Sequence, residues 1–217
     1  MRKTPAPLQW IRPPRQARTQ KSLERFLDAA EGLLLDKSFE DVHVADVAQR
    51  AGSSVPAFYR RFRDKNALLH ALHERKCEEA LATADAALNP ERWEGANIRE
   101  ILASSFRCLV EILKQHESLE RAVHQRALSD GTLWERAIRV RRHVMDGLSE
   151  LLLDRREEIG HPKPALAVSF ALVQAMALLT EYYTVGLRDI QRSAMSDRQV
   201  VNELLSSCLA YLQWQEV

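Results

Sequence analysis

Residues 44–62, VADVAQRAGSSVPAFYRRF, hold two helical patterns broken by Ala51-Gly52-Ser53-Ser54. Each half is well short of the roughly 12–15 residues at which an isolated helix becomes even marginal in water. Each must therefore be held by the other and by a third element, at an angle the break sets. Ala48 and Gly52 lie four apart, with Phe58 six further on. The small residue lets the second helix approach the first, and Gly supplies the positive φ that ends the first helix. The aromatic fills the angle between them, over Val47 and Ala51. Ser54 is placed to cap the second helix, and Pro56 in its first turn sacrifices no intrahelical bond. Ser53, Ser54, Val55, Pro56 and Ala57 then form an exposed helix N-terminus, small enough to enter a major groove, whose free N–H groups favour phosphate. Tyr59, Arg60, Arg61, Arg63 and Lys65 follow as a basic, aromatic cluster suited to the phosphates beside a groove. The plainer alternative is a structural corner of two helices with a solvated charged face.

The charge distribution favours the polyanion. Residues 1–76 carry 15 Lys/Arg against 9 Asp/Glu, a net +6, while residues 77–217 carry 16 against 21, a net −5. The chain's overall +1 conceals this polarity, which is the pattern of a basic reading head on an acidic body. Cys77, Cys108 and Cys208 are odd in number and lack metal-ligand spacing, which suits a reduced, cytoplasmic protein. The first residues, MRKTPAPLQWIRPP, lack the apolar run of a secretion signal. The most apolar stretch, residues 165–179, is shorter than the roughly 20 residues needed to span a bilayer, so a buried helix is expected and no membrane partner.

Helical periodicity extends over nearly the whole chain, and no alternating strand pattern appears, so the fold class is all-α. Helices are expected from residue 19 to about 36, and over 44–51, 55–62, 65–88, 98–114, 118–128, 132–159, 164–185 and 197–215. Residues 1–17, with Pro5, Pro7, Pro13, Pro14 and no acidic residue, are expected to form a flexible basic arm.

The run LERFLDAAEGLLLDKSFEDVHVADVAQRAGSSVPAFYRRFRDKNALLHAL closely resembles the N-terminal domain of the TetR (tetracycline repressor) family of bacterial transcription factors, over residues 19–70. The matching residues are Ala29-Ala30, Phe39, Val44, Val47-Ala48, Ala51-Gly52, Ser54, Phe58-Tyr59, Phe62, Lys65 and Leu68. The resemblance implies a helix-turn-helix DNA-binding domain at 18–76 (the motif itself at about 43–62), and a helical effector-binding and dimerisation domain at 77–217. It implies a bacterial, cytoplasmic, homodimeric repressor that binds a near-palindromic double-stranded operator and is released by a small molecule. By position, Val55, Pro56 and Ala57 would face bases, Tyr59, Arg61 and Lys65 would hold phosphates, and His43 would cap the first short helix and contact backbone. Ser38, Val42-His43, Pro56 and Arg61 depart from the residues the family prefers at those positions, which blurs the operator sequence rather than the class.

The family's dimer is a four-helix bundle from its last two long helices. Here those are 164–185 and 197–215, with Val201, Leu204, Leu205, Cys208 and Leu212 on the stripe expected at the interface. An effector pocket would lie among the helices between, with Phe106, Ile112, Trp134, Met145, Phe170, Met176 and Tyr182 as candidate lining. His116, Glu120 and His124 share a helix face without a second metal-ligand motif, so no metal and no cofactor is expected. No Gly-rich phosphate loop, G-x-S-x-G, HExxH or paired-Cys motif is present, and no enzyme is expected. An all-α ligand-binding or interaction protein without sequence-specific DNA binding remains the alternative.

Overall fold

The computed structural model describes residues 17–186 and 195–216, and among these there are nine helices and no strand. They are α1 (Ala17–Leu34), α2 (Val44–Arg50), α3 (Val55–Arg61), α4 (Lys65–Ala87), α5 (Ile98–Gln115), α6 (Glu117–Ala127), α7 (Gly131–Leu153), α8 (Pro164–Thr180) and α9 (Asp197–Leu212). The arm expected at residues 1–17 lies, apart from Ala17, outside the described residues.

Local sequence explains most of the boundaries. Asp64 caps α4 by accepting from Ala67 N at 2.8 Å. Asn97 with Glu100, and Ser196 with Gln199, form reciprocal capping boxes at α5 and α9. Three ends differ from the expectation. The helix expected over 132–159 stops at Leu153 and is followed by a short 3₁₀ turn, Arg156–Glu158. The helix expected over 164–185 is α-helical only to Thr180 and continues as a π-helical turn, Glu181–Val185, closed by Gly186 at φ 98°. The last helix stops at Leu212 rather than 215 because Gln213 turns left-handed at φ 52°.

Two apolar cores organise these helices. The first joins Phe26, Leu27 and Ala30 of α1, Val47 and Ala48 of α2, Phe58 of α3 and Leu68, Leu69 and Leu72 of α4. It also takes in Leu119, Ala122 and Val123 of α6 and Leu133 of α7, so packing does not stop at residue 76. The second joins α5, the later part of α7, α8 and α9. Helix α4 spans about 35 Å at 1.5 Å per residue, beginning in the first core and running on beside α7. Gly147 permits that close approach, since a Cβ there would lie 2.7 Å from Leu88 Cδ1. Buried Glu158 ties the far end together, accepting from Ile98 N at 2.9 Å and Trp214 Nε1 at 2.7 Å.

The segment Pro164–Val185 is long and apolar enough by composition to cross a bilayer. Its inner row, Ala167, Val168, Ala171, Leu172, Ala175 and Leu179, is buried in the second core.

Candidate nucleic-acid interface

Helix α2 ends as its residues require. Gly52 sits at φ 58°, and the N–H groups of Gly52 and Ser53 return to Gln49 O at 3.0 Å and Ala48 O at 2.9 Å. Any other residue at Gly52 would be strained by that φ rather than by crowding. Ser54 caps α3, its Oγ accepting from Ala57 N at 3.3 Å. Ser54→Ala is expected to lower stability by about 1 kcal/mol, read as a lower urea midpoint, because that N–H loses its only side-chain acceptor. Phe58 is fully buried and meets the Phe26 ring at 5.7 Å and the Phe62 ring at 5.0 Å, so three aromatics hold α3 against α1.

What this scaffold presents is a small-residue tip. Ser54, Val55 and Pro56 are exposed, Ser53 and Ala57 half-buried, and beyond them Tyr59 is 53% exposed beside exposed Arg60 and Arg63. Three of the expected contact residues sit differently. Arg61 is only 8% exposed, and its burial lowers the guanidinium pKa, so it leaves the exposed cluster. Lys65 Nζ donates to Phe39 O, Glu40 O and Val42 O at 2.8, 3.0 and 3.2 Å and lies over the Phe39 ring. Its three protons anchor the α1–α2 loop, and a phosphate contact would have to break that anchor. His43 stands at the start of α2, exposed, but its side chain makes no capping bond. Lys65→Ala is therefore expected to lower the urea midpoint by about 3 kcal/mol equivalent through loss of charged hydrogen bonds. The slope of DNA affinity against salt should stay unchanged.

The remaining sites are rearranged as well. Phe106 and Tyr182 are core, with the Tyr182 hydroxyl paired to the Met195 backbone, and Ile112, Met145 and Met176 are half-buried. Trp134 and Phe170 are 48% and 51% exposed. Two clefts, of about 570 and 600 Å³, contain none of these seven residues. Val201, Leu204, Cys208 and Leu212, expected at a dimer seam, are buried in the chain's own second core, and Leu205 is half-buried. The outward face of the last two helices is instead a row on α8, Leu166, Phe170, Val173 and Leu178, each 38–55% exposed. Phe170 stacks on Tyr211 of α9 at 5.0 Å, and Gln174 donates to Ser207. Among the described residues no three His, Cys, Asp or Glu side chains converge as a metal site.

One buried histidine has a pH consequence. His73 is 3% exposed, its Nε2 lies 3.3 Å from Cys77 Sγ, and its Nδ1 has no hydrogen-bond partner among the described residues. Burial, then the nearby Arg136, His70 and Arg139, push its pKa from 6.5 down to about 4. The fold therefore favours neutral imidazole, and stability present above pH 6.5 is lost as pH falls toward 4. Burial also lowers His70 and His116, so the wild type alone would not isolate this group. His73→Leu is expected to reduce the slope of unfolding free energy against pH by about one proton in that window, measured as urea midpoints at stepped pH.

Comparison with known proteins follows the same division. Residues 26–72 match the family described as bacterial regulatory proteins, tetR family. The HTH-type transcriptional regulator EthR of Mycobacterium tuberculosis is 34% identical over 97 residues, 44% of each chain. The uncharacterized HTH-type transcriptional regulator YwcC of Bacillus subtilis is 34% identical over 67 residues, 30% of each. The chain thus spans less than half the length of these curated relatives. Over the whole fold, a Mesorhizobium loti chain named for the TetR family superposes with a TM-score of 0.69 at 17% identity, covering 91% of this chain and 98% of that one. The fatty acid degradation regulator FadR of Bacillus halodurans gives 0.61 at 18% identity, covering 89% and 97%. Residues 26–72 thus carry the N-terminal domain of the tetR family of bacterial regulatory proteins.

Proposed function

We propose that the chain is a DNA-binding transcriptional regulator acting as a homodimer, with α3 as the element that enters the major groove. The observation that carries this reading is the exposed, Ser54-capped tip of small residues with Tyr59, Arg60 and Arg63 behind it. Val55, Pro56 and Ala57 meet base edges, while Tyr59, Arg60 and the N–H groups of the tip hold phosphate. The names of EthR and YwcC support the reading, both being HTH-type transcriptional regulators. The two copies meet through the outward row of α8 and the neighbouring surface of α9, an apolar face that the described residues leave exposed. Regulation is repression relieved by a small molecule bound in the body at residues 77–217, with residues 18–76 as the reading head.

The test is binding to genomic fragments selected by the protein itself, titrated against salt. With six to ten phosphate contacts per dimer, affinity should fall about 10³–10⁵-fold between 50 and 200 mM salt. Tyr59→Ala should weaken binding to all sequences alike, whereas changes at Val55 or Ala57 should alter which bases are preferred. A protein that binds no DNA even at low salt would end the proposal.

A further inference from the structure

The reading head is fastened to the body by more than apolar contact. On α7, Arg136 Nη1 donates to His70 O at 3.2 Å and its Nε pairs with Glu74, both on α4. Six residues earlier, Asp130 caps α7 through Oδ1, which accepts from Thr132 N at 3.0 Å, while Oδ2 meets His70 Nε2 at 2.9 Å. These groups are largely withdrawn from water, the Arg136 and Glu74 side chains being 11% and 16% exposed. On another side of α4, Arg75 and Lys76 bind Glu24, Asp28 and Glu31 of α1. Helix α4 is thus gripped by the head through α1 and by the body through α7.

Helix α7 then runs on into the second core, where Leu148, Leu151 and Leu152 pack with α8. The line from the tip to the outward face of α8 therefore passes through α4 and α7, and their polar junction is the Arg136 fork. A guanidinium holding a backbone carbonyl and a carboxylate at once fixes orientation as well as distance, which a single flexible ammonium does not.

We propose that Arg136 is a positioning residue for DNA recognition: it sets the angle at which α3 is carried relative to the α8–α9 face, and so selects the spacing between half-sites. This rests on the proposal that the chain is a DNA-binding dimer. In such a dimer the separation of the two tips must match the helical repeat, so a change of tilt alters the spacing that both tips can satisfy.

The experiment compares wild type, Arg136→Lys, Arg136→Gln and the double variant Glu74→Gln/Arg136→Gln on the selected operator. Versions with one or two base pairs added or removed between half-sites are measured alongside. The double variant leaves no lone buried carboxylate, so it separates positioning from simple destabilisation. Both Gln variants should remain folded dimers, bind the best spacing about tenfold more weakly, and discriminate among spacings less sharply than wild type, in the range of coupling a distant residue exerts. Arg136→Lys should fall between them and wild type. Binding to random DNA at low salt should not change, because the tip is intact. A folded double variant with the wild-type spacing profile overturns the inference, as does failure of both Gln variants to fold, which would make the fork a stability element. A wild type that binds no DNA overturns the regulator reading, and this inference with it.

Discussion

Val173→Asp is expected to convert the proposed dimer into a monomer that keeps its fold and loses operator affinity by about a thousandfold or more. Val173 is 50% exposed in the middle of the outward row of α8 and belongs to neither core. Among the described residues the single chain leaves that position half exposed, so an aspartate there keeps its contact with water. Within a closed interface it would be an uncompensated buried charge, costing about 3–5 kcal/mol, and two-fold symmetry presents the substitution twice. A monomer brings one tip to DNA rather than two, so the slope of affinity against salt should also fall to about half. Sedimentation and circular dichroism on one preparation separate the outcomes. Leu204→Asp is the contrasting control: Leu204 is 2% exposed in the second core, so that variant should unfold rather than dissociate. A Val173→Asp protein of unchanged dimer mass would place the interface on another face.

Phe58→Ala is expected to cost about 3–5 kcal/mol in cavity formation and lost transfer energy, with a further 0.5–1.5 kcal/mol for each aromatic pair broken. Phe58 is fully buried and touches the Phe26, Phe62 and Tyr59 rings, so a single truncation loosens α3 from α1 and from its own C-terminal cap residue. Helices α2 and α3 have seven residues each and no helical stability of their own, so the loss falls first on the tip. Hydrogen exchange should show residues 44–62 opening while α8 and α9 stay protected, and DNA binding should disappear with the tip. Phe58→Leu should recover much of the stability. Unaltered protection of α3 in Phe58→Ala would mean the rings do not hold the motif.

Around the break between α2 and α3 the deciding interactions lie within a turn or two of chain, and there the sequence alone identified them. Gly52 at positive φ, Ser54 as cap and Phe58 as the plug between helices all follow from a span of seven residues. So do the starts of α4 and α5 at residues 65 and 98, and the exposure of the tip. Periodicity of 3.6 also sufficed for the all-α class, because it needs only the chain's own repeat. The fate of the cations behind the tip was not legible in this way. Arg61 and Lys65 look alike as charges in a basic run, yet one is buried and the other spends its protons on carbonyls 23–26 residues away.

The outward face of the C-terminal helices was equally hidden. Helix α8 is apolar on almost every side, so its pattern carries no direction, and α9 offers a broad stripe that serves the chain's own core as well as it would a partner. Only the packing of α7 and α9 against α8 decides that Ala167, Ala171 and Ala175 turn inward and Leu166, Phe170 and Val173 outward. The fork of Arg136 on His70 and Glu74 joins residues more than sixty positions apart through a charge that, in the sequence, belongs to an ordinary basic run. The sequence by itself determined which segments are helical, that Ser54 caps α3 and that one small tip stands free, because those depend on neighbours along the chain. Which side chains remain available to a partner was decided by the tertiary structure, because burial and pairing depend on residues that only folding brings together.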